Sequence, residues 1–325
     1  MNRWTTLLTL LIPLCLGLAT VGVLAQPYPN RPIKLIVGGA PGSVPDTMVR
    51  PVAERLSAVL GQSVVVDNRP GAAGIIAMDA MSRSAPDGYT LALATMSQAV
   101  FNCYLFSKLP YDPLRDLEPV ATLVTGAMAL AAHPSFQARS LQEFVALAKA
   151  QPGKLFVAMP QAGSPPHVVA LLLNRAAGID VTMVPHKSGT DAITAVLSGE
   201  IRLIIDAPTI ISSHVQAGKL RALAVTGRQR EDALPDVPTA RESGFPAVEG
   251  EAWIGLVAPT GTPVAVVQRL NREIGTILAT SEMQGLMAKF SFRPLTSTPE
   301  EFRKLIREDH AKWSTVIRDA GLKLD

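Results

Sequence analysis

Residues 33–61 read IKLIVGGAPGSVPDTMVRPVAERLSAVLG, and this stretch decides the fold. Its first five residues, Ile33–Val37, predict a buried strand, and a loop rich in Gly and Pro follows. Apolar residues then recur at helical spacing from Val49 to Leu60, so we expect an amphipathic helix opened by Asp46. A strand that feeds a helix through small residues leaves backbone N–H groups at the sheet edge. Together with the positive end of the helix dipole, these groups favour an anion.

The first 25 residues have the features of a secretion signal. Arg3 supplies a positive start, Leu7 to Ala19 an apolar run, and Val23-Leu24-Ala25 a small-residue cleavage pattern. Cys15 lies in the apolar run without the small residue before it that a lipoprotein site needs. We therefore expect a signal peptide that is cleaved near Ala25 and a mature protein in the periplasm.

Composition excludes several classes of protein. About 300 residues remain after cleavage, which corresponds to two lobes at the usual ~100–200 residues per domain. Removing Arg3 from the 30 Lys and Arg residues leaves 29 against 27 Asp and Glu, a net charge of +2. This balance, without a basic run, argues against nucleic acid as a partner. No later segment reaches the ~18 apolar residues of a membrane span, and the single remaining cysteine, Cys103, cannot form an internal disulfide.

Apolar runs alternate with helical periodicity along most of the chain, which predicts an α/β fold with mainly parallel sheets. Two extended runs, Val120–Ala132 and Trp253–Val257, would carry the chain between two lobes. We expect residues 26–123 plus 249–325 in one lobe and residues 124–248 in the other. Further strands are predicted at Ser63–Val66, Tyr89–Ala94, Leu155–Met159, Val181–Val184, Ile201–Ile205 and Leu220–Val225. Helices are predicted at Ile75–Ser84, after a capping box at Ser140 and Glu143, and at His167–Ala177, Asp191–Leu197, Ile210–Ala217, Pro263–Leu278, Glu282–Ala288 and Pro299–Ala320.

The position of a ligand site follows from this plan. Ligands of open α/β sheets bind beyond the carboxyl ends of the strands. We therefore expect a cleft between the lobes that is lined by the loops 38–46, 95–102, 160–167, 185–191 and 206–209.

Particular runs of sequence resemble a known family along the whole mature chain. They include YPNRPIKLIV, APGSVPD, VVVDNRPGAAG, PDGYTLALAT, LPYDPLRDLEPVATL, AGSPPH, VPHKSGTDA, AGKLRALAVTGRQR, LPDVPTARESG and WIGLVAPTGTP. These runs are similar to those of the Bug family, the solute receptors of tripartite tricarboxylate transporters. The resemblance implies a two-lobed periplasmic binding protein of the type II, Venus-flytrap kind. It also implies a small organic carboxylate ligand, held chiefly by backbone groups and ordered waters of two strand-to-helix loops.

The resemblance also implies which residues bind the ligand. One carboxylate loop would contain Ala40, Pro41, Gly42, Ser43 and Asp46, and the second Ala162, Gly163, Ser164 and His167. The rest of the site would consist of Thr95, Ser97, Asn102, Pro185, Lys187 and Asp206.

Three positions depart from the family pattern. Gly38-Gly39 stands where the family has proline and an aromatic residue, Ser43 replaces a glycine, and His186 replaces a tyrosine. The Gly39 position would therefore leave room for a bulkier ligand.

Simpler interpretations exist for several of these residues. The 40–46 loop can be an ordinary strand-to-helix turn, with Asp46 as an N-cap that would repel an anionic ligand. Ser164 can likewise serve as an N-cap alone. Lys187 is either a countercharge for a second carboxylate or a solvated lysine, and we interpret Trp253 as a packing residue.

Catalysis and cofactors lack the sequence patterns that they require. Ser164, His167 and Asp206 resemble a triad in composition, but the first two are only three positions apart at a helix start, and no G-x-S-x-G elbow occurs. The five histidines show no metal-ligand spacing, and the phosphate loops of nucleotide sites are missing. We therefore expect no enzyme activity, no metal and no cofactor.

Three hypotheses for function remain. The first is a monomeric periplasmic receptor that delivers a carboxylate to membrane permease subunits. The second is a ligand-sensing subunit that presents its closed form to a signalling partner. The third, a secreted enzyme of the same fold, would require turnover that depends on Ser164 or His167.

Overall fold

The computed structural model describes residues 28–325, so the predicted signal peptide, Cys15 and the cleavage site near Ala25 lie outside the described residues. The strands are β1 (Ile33–Val37), β2 (Val64–Asn68), β3 (Thr90–Thr95), β4 (Leu117–Ala127), β5 (Ala129–Ala132), β6 (Phe156–Pro160), β7 (Thr182–His186), β8 (Leu203–Asp206), β9 (Arg221–Val225), β10 (Glu251–Pro259) and β11 (Arg293–Pro294). The helices are α1 (Val44–Leu60), α2 (Ile75–Ser82), α3 (Asn102–Leu105), α4 (Leu141–Ala150), α5 (Pro165–Ala177), α6 (Gly189–Leu197), α7 (Pro208–Gln216), α8 (Val264–Leu278), α9 (Ser281–Ala288) and α10 (Pro299–Asp319). A π-helical turn, Ser97–Phe101, precedes α3.

The strands form two mixed sheets. The six-stranded sheet has the order β11-β4-β10-β3-β1-β2, and the five-stranded sheet has the order β7-β6-β8-β5-β9. In the first sheet β1 to β4 point in one direction, against β10 and β11. In the second, β5 alone opposes the other strands. Most strands in each sheet are thus codirectional, and their carboxyl ends meet at one edge.

Two strands link the sheets, as the extended runs predicted. The chain leaves the first sheet at Ala127 and enters the second at Ala129, with Met128 between them. It returns to the first sheet at Glu251, where β10 pairs with both β3 and β4. The lobe boundaries expected at residues 123 and 249 stay a prediction.

The core explains why these elements pack as they do. Helix α1 buries Met48, Val49, Val52 and Leu56 against the six-stranded sheet, beside α8. Helix α10 buries Phe302 and other large apolar side chains in a core that continues into the five-stranded sheet and α5. Because one core contains residues from both sheets, α10 is a third connection between them. No helix within residues 28–325 is long and apolar enough to span a membrane.

Four helices, α1, α5, α6 and α7, begin two residues earlier than predicted. Helix α1 starts at Val44 with Ser43 at its N-cap, so Asp46 is the third helical residue and not the cap. Helix α5 starts at Pro165 with Ser164 at its N-cap, two residues before His167. In both cases proline occupies the first helical turn, where its fixed φ is favourable and its missing N–H costs nothing.

The predicted capping boxes differ in completeness. The box of α10 is complete, because Thr298 and Glu301 bond to each other's backbone. At α4 the Ser140 hydroxyl accepts from the Glu143 amide, but the Glu143 carboxylate accepts from the Arg139 amide instead of from Ser140. Only half of that box is therefore present.

Candidate functional site

A cleft of about 940 Å³ lies between the two sheets, at the carboxyl ends of β1, β3, β6 and β8. Of the five loops predicted to line it, 38–46, 95–102, 160–167 and 206–209 do so, whereas no residue of 185–191 is among its described lining. The lining residues are Gly38, Gly39, Ala40, Ser43, Val44, Pro45, Pro70, Gly71, Ala72, Ala73, Gly74, Leu93, Thr95, Ser97, Gln98, Phe106, Met128, Pro160, Gln161, Ala162, Gly163, Ser164, Pro165, Pro166, Asp206, Ala207, Ala252, Trp253, Ile254, Phe292 and Leu324.

The loop before α1 is held in place by the Asp46 carboxylate. Asp46 is 2% exposed and accepts hydrogen bonds from the Gly42 amide at 2.8 Å, from Arg50 at 2.8 and 2.9 Å, and from Asn68 at 2.8 Å. The bond from Arg50 is the main reason that the pKa of Asp46 falls to about 2. Asp46 therefore positions the loop from behind and does not line the cleft.

The loop before α5 has the same arrangement with a different acceptor. The Gly163 amide donates to Nδ1 of His167 at 3.0 Å, four residues later, as the Gly42 amide donates to Asp46. Burial lowers the pKa of His167 to about 4, so the ring is neutral at physiological pH and its Nδ1 can accept. The two lobes thus present matching loops, Gly-Ser-Val-Pro-Asp and Gly-Ser-Pro-Pro-His.

The serines of the two loops make different contacts. The Ser164 hydroxyl donates to the Pro160 carbonyl at 3.0 Å, so Ser164 occupies the N-cap position without a side-chain capping bond. The Ser43 hydroxyl has no hydrogen-bond partner within residues 28–325. It packs against Gly39, where a Cβ would overlap with it. Ser43 thus takes the space that any side chain at position 39 would need.

The cleft contains no cationic side chain among its described lining residues. Asp206 is the only ionisable group there, and it is 5% exposed. Its Oδ1 accepts from the Ala207 amide at 2.7 Å, and its Oδ2 has no partner within residues 28–325. Burial raises the pKa of Asp206 to about 6. An anion in this cleft would thus be stabilised by N–H dipoles and not by ion pairs.

The walls of the cleft include large apolar side chains. Trp253 of β10 is 2% exposed, packs edge-on against Phe302, and donates from Nε1 to Asp309 at 2.7 Å. These contacts support its interpretation as a packing residue. Leu324 lies close to Gly163, and its amide donates to the Leu105 carbonyl at 2.9 Å. The carboxyl-terminal tail thereby reaches one end of the cleft.

Other predicted site residues fall into two groups. Nine of them line the cleft: Gly39, Ala40, Ser43, Thr95, Ser97, Ala162, Gly163, Ser164 and Asp206. The Ser97 hydroxyl donates to the Gly163 carbonyl at 3.5 Å and so joins the two lobes. The predicted residues outside this lining are Pro41, Gly42, Asp46, Asn102, His167, Pro185 and Lys187. Ligand contact by any of these residues stays a prediction.

Two of the residues outside the lining have clear local roles. The Asn102 amide is 1% exposed and donates to the Ala73 carbonyl at 3.2 Å, which fastens the 70–74 loop. The Lys187 side chain is exposed, and its carbonyl accepts from Gln161 at 3.3 Å.

Sequence reasoning predicted the 95–102 loop at the cleft without singling out Gln98, and it did not identify the 70–74 loop as part of the site. For the 70–74 loop, the available signal was the glycine-rich run VVVDNRPGAAG. No local signal marks Gln98, because its surroundings come from distant parts of the chain.

Neither a metal centre nor a catalytic triad is assembled by the described residues. Ser164 and His167 each bond to backbone of their own loop, and no hydrogen bond within residues 28–325 joins them to Asp206. No group of three His, Cys, Asp or Glu residues in this part of the chain is placed to hold a metal.

Comparison with known proteins agrees with the resemblance seen in the sequence. The family model described as "Tripartite tricarboxylate transporter family receptor" matches residues 48–322. BugT of Bordetella pertussis is 35% identical over 312 residues, which cover 94% of this chain and 96% of BugT. The similarity to the Bug family is therefore confirmed.

Three solved structures are similar along nearly the whole chain. The periplasmic binding protein BugD is 30% identical with a TM-score of 0.75, covering 91% of this chain and 100% of its own. An R. palustris protein solved with adipate is 29% identical with a TM-score of 0.79, covering 91% and 100%. MatC from Rhodopseudomonas palustris, with bound malate, is 31% identical with a TM-score of 0.75, covering 89% and 100%. The predicted two-lobed α/β binding-protein fold is thus confirmed.

Proposed function

Since the chain belongs to the tripartite tricarboxylate transporter receptor family of periplasmic solute-binding proteins, we propose that its cleft captures a small organic carboxylate. The observation that carries the proposal is the pair of matching loops before α1 and α5, one from each lobe, at a cleft whose described lining has no cationic side chain. Each loop lies at a helix N-terminus, where free N–H groups and the helix dipole favour negative charge. Closing the lobes would surround the ligand with donors from both sides.

The ligand is a small acid that backbone donors can hold. Two related structures were solved with the dicarboxylates adipate and malate. A cleft of about 940 Å³ also accommodates larger acids than these.

Export and delivery complete the proposal. The predicted signal peptide would place the mature protein in the periplasm, and delivery to membrane permease subunits agrees with the family description. A sensor role is the alternative, and neighbouring genes for permease subunits or for a sensor kinase would separate the two. Binding without turnover agrees with Ser164 and His167 each bonding within its own loop.

The test is a thermal-shift and calorimetric screen of the mature protein from Gln26. Before the screen, the protein is unfolded and refolded to remove any ligand retained during purification. The panel contains dicarboxylates, citrate, acidic amino acids and aromatic acids, each paired with its neutral amide. We expect one class of acid to raise the melting temperature in proportion to its concentration, because a ligand of the folded state stabilises that state.

A matched pair of variants links binding to the cleft. Ala162→Asp adds a carboxylate to the α5 loop at the cleft, whereas Ala146→Asp adds one to the exposed face of α4. We expect Ala162→Asp to weaken acid binding more than tenfold, as like charges repel, and Ala146→Asp to bind like the native protein. Equal affinity in both variants, or no response of the native protein to any acid, would contradict the proposal.

A further inference from the structure

Gln98 is a buried carboxamide with one unsatisfied end. The residue is 6% exposed and lines the cleft. Its Oε1 accepts from the Thr95 amide at 2.8 Å and from the Thr95 hydroxyl at 3.1 Å. Its Nε2 donates to no residue in the range 28–325, and it is not one of the polar atoms enclosed without a partner, so it stays open to the cleft.

The orientation of the carboxamide is determined by Thr95. A backbone N–H can only donate, so the atom facing it must be the oxygen of the carboxamide. Rotating the group by half a turn would bring two donors together. Nε2 is therefore held on the opposite side from Thr95, where it can donate but cannot accept.

Two glycines make room for this side chain. Nε2 lies 2.5 Å from the position that a Cβ would take on Gly38. A Cβ on Gly74 would overlap with the carboxamide itself. Gly38 follows β1 and Gly74 precedes α2, so Gln98 passes between two loops that both line the cleft. Because Nε2 is open to the cleft and bonds to no described residue, its partner is expected to come from the cleft.

We propose that Nε2 of Gln98 donates a hydrogen bond to an oxygen of the bound acid, which makes Gln98 a specificity-determining residue. The inference rests on the proposed function and names a feature of its ligand. The end of the ligand that faces Gln98 carries a carboxylate or carbonyl oxygen. An ammonium group at that end would face the donor Nε2 and could not use the acceptor of the carboxamide, which Thr95 occupies.

The first test uses the native protein and matched ligands. Calorimetry compares linear dicarboxylates from succinate to adipate with ω-amino acids of the same length, such as 6-aminohexanoate for adipate. We expect the tightest-binding dicarboxylate to bind at least about tenfold more tightly than its amino counterpart, since the amine loses an acceptor and leaves Nε2 unpaired. An amino acid that binds as tightly as its matched dicarboxylate would overturn the inference.

The second test replaces the donor without removing the contact to Thr95. Gln98→Glu keeps an oxygen for the Thr95 amide and presents an acceptor to the cleft. We expect its Kd for the dicarboxylate to rise at least about tenfold and its preference over the amino acid to shrink or reverse. Gln268→Glu, on the exposed side of α8, serves as the control and should bind like the native protein.

The outcomes separate the two proposals. Acid binding by the native protein with unchanged affinity in a folded Gln98→Glu variant would overturn the role of Gln98 and leave the receptor function standing. Binding of none of the acids by the native protein would overturn both. Gly38→Ala supplies a second variant, because its methyl group would displace Nε2 at a residue without a left-handed backbone. It should likewise weaken the dicarboxylate at least about tenfold, and native-like affinity in a folded Gly38→Ala protein would contradict the inference.

Discussion

Asp206 is a buried carboxyl group without a countercharge. Burial raises its pKa in the folded protein to about 6, whereas the ordinary value is 3.8. Between these pH values the folded protein holds a proton that the unfolded chain releases. The stability associated with Asp206 is therefore present below pH 4 and lost as the pH rises through about 6.

Replacing Asp206 with Asn should remove this pH dependence. The amide oxygen can still accept from the Ala207 amide, and the uncompensated charge is gone. At pH 8 we expect Asp206→Asn to raise the free energy of unfolding by on the order of 1–3 kcal/mol. At pH 4 the effect should be much smaller. Chemical denaturation at both pH values measures the difference.

The control for this prediction is Asp236→Asn, which neutralises an exposed carboxylate. It should change stability by less than about 0.5 kcal/mol at either pH. An Asp206→Asn protein that is equally stabilised at pH 4 and pH 8 would show that the gain comes from packing and not from charge.

Residues of the cleft differ in how well sequence reasoning could find them. Ala40 and Ser164 lie in runs that mark a strand-to-helix loop, and both line the cleft. Gln98 was not singled out, because the position of its unpaired nitrogen depends on Gly38 and Gly74. The pairing of β1 with β3 brings Gly38 beside Gln98, and the 70–74 loop brings Gly74 there. Such long-range neighbours have no signature near Gln98 in the sequence.

At the level of helices and strands, Asp46 holds the N-terminus of α1 in position. Its carboxylate joins the Gly42 amide, the Arg50 guanidinium and the Asn68 amide, and so ties a loop, a helix and β2 together. The Arg50 bond is the first cause that lowers the pKa of Asp46 to about 2. Stability from a carboxyl group with a lowered pKa is present above the ordinary value near 4 and is lost as the pH falls through about 2.

Asp46→Ala should therefore destabilise the protein at neutral pH. We expect a loss of about 2 kcal/mol at pH 7, because several hydrogen bonds to a buried charge disappear. The difference from the native protein should shrink between pH 4 and pH 2. Urea denaturation at pH 7 and at the lowest pH where the native protein folds provides the measurement.

Helix α2 offers a matched comparison. Asp79 pairs with Arg83 four residues later, as Asp46 pairs with Arg50, but the Asp79 side chain is 28% exposed against 3% for Asp46. Within residues 28–325 no backbone amide donates to the Asp79 carboxylate. Asp79→Ala should cost less than about 0.5 kcal/mol. Equal losses in the two variants would mean that the loop contacts of Asp46 add nothing beyond an ion pair.

The helix boundaries show where sequence patterns lose resolution. The strand Ile33–Val37 was predicted with its observed bounds because a run that is apolar except for Lys34 ends at two glycines. The starts of α1 and α5 were placed two residues late, at Asp46 and His167. Both side chains accept a hydrogen bond from the backbone amide four residues earlier. In the sequence such a residue looks like an N-cap, whereas in the structure it stabilises the loop before the helix.

For the whole molecule, the absence of cations from the described cleft lining sets how binding should respond to salt. Ion pairs at a protein surface weaken as the Debye length falls from about 10 Å at 0.1 M to about 3 Å at 1 M salt. Buried N–H donors are screened much less. We expect the Kd for the bound acid to change by less than about threefold between 0.05 and 0.5 M sodium chloride.

Calorimetry at several sodium chloride concentrations tests this expectation. Sodium bromide at the same ionic strength serves as the control, because competition by the halide for the anion site would differ between the two anions, whereas charge screening would not. A Kd that rises tenfold or more with both salts would indicate a cationic side chain at the ligand and contradict the proposed mode of binding.

The two-lobed plan was largely predictable, because both connecting runs are continuous and apolar in the sequence. Val120–Ala132 contains Met128, where the chain passes from the first sheet to the second, and Trp253–Val257 lies within β10. The bridging role of α10 was not predictable from its periodicity, which shows one apolar face without showing that the helix packs against both β4 and α5.

The carboxyl-terminal tail also affects how the protein should be labelled. Leu324 lines the cleft, and the Asp325 carboxylate accepts from the Ser107 amide at 2.9 Å. An affinity tag fused after Asp325 would start beside the ligand and could compete with it, so a tag belongs at the other end of the mature chain. For the same reason, an environment-sensitive dye attached at position 325 would turn the protein into an optical sensor for its ligand.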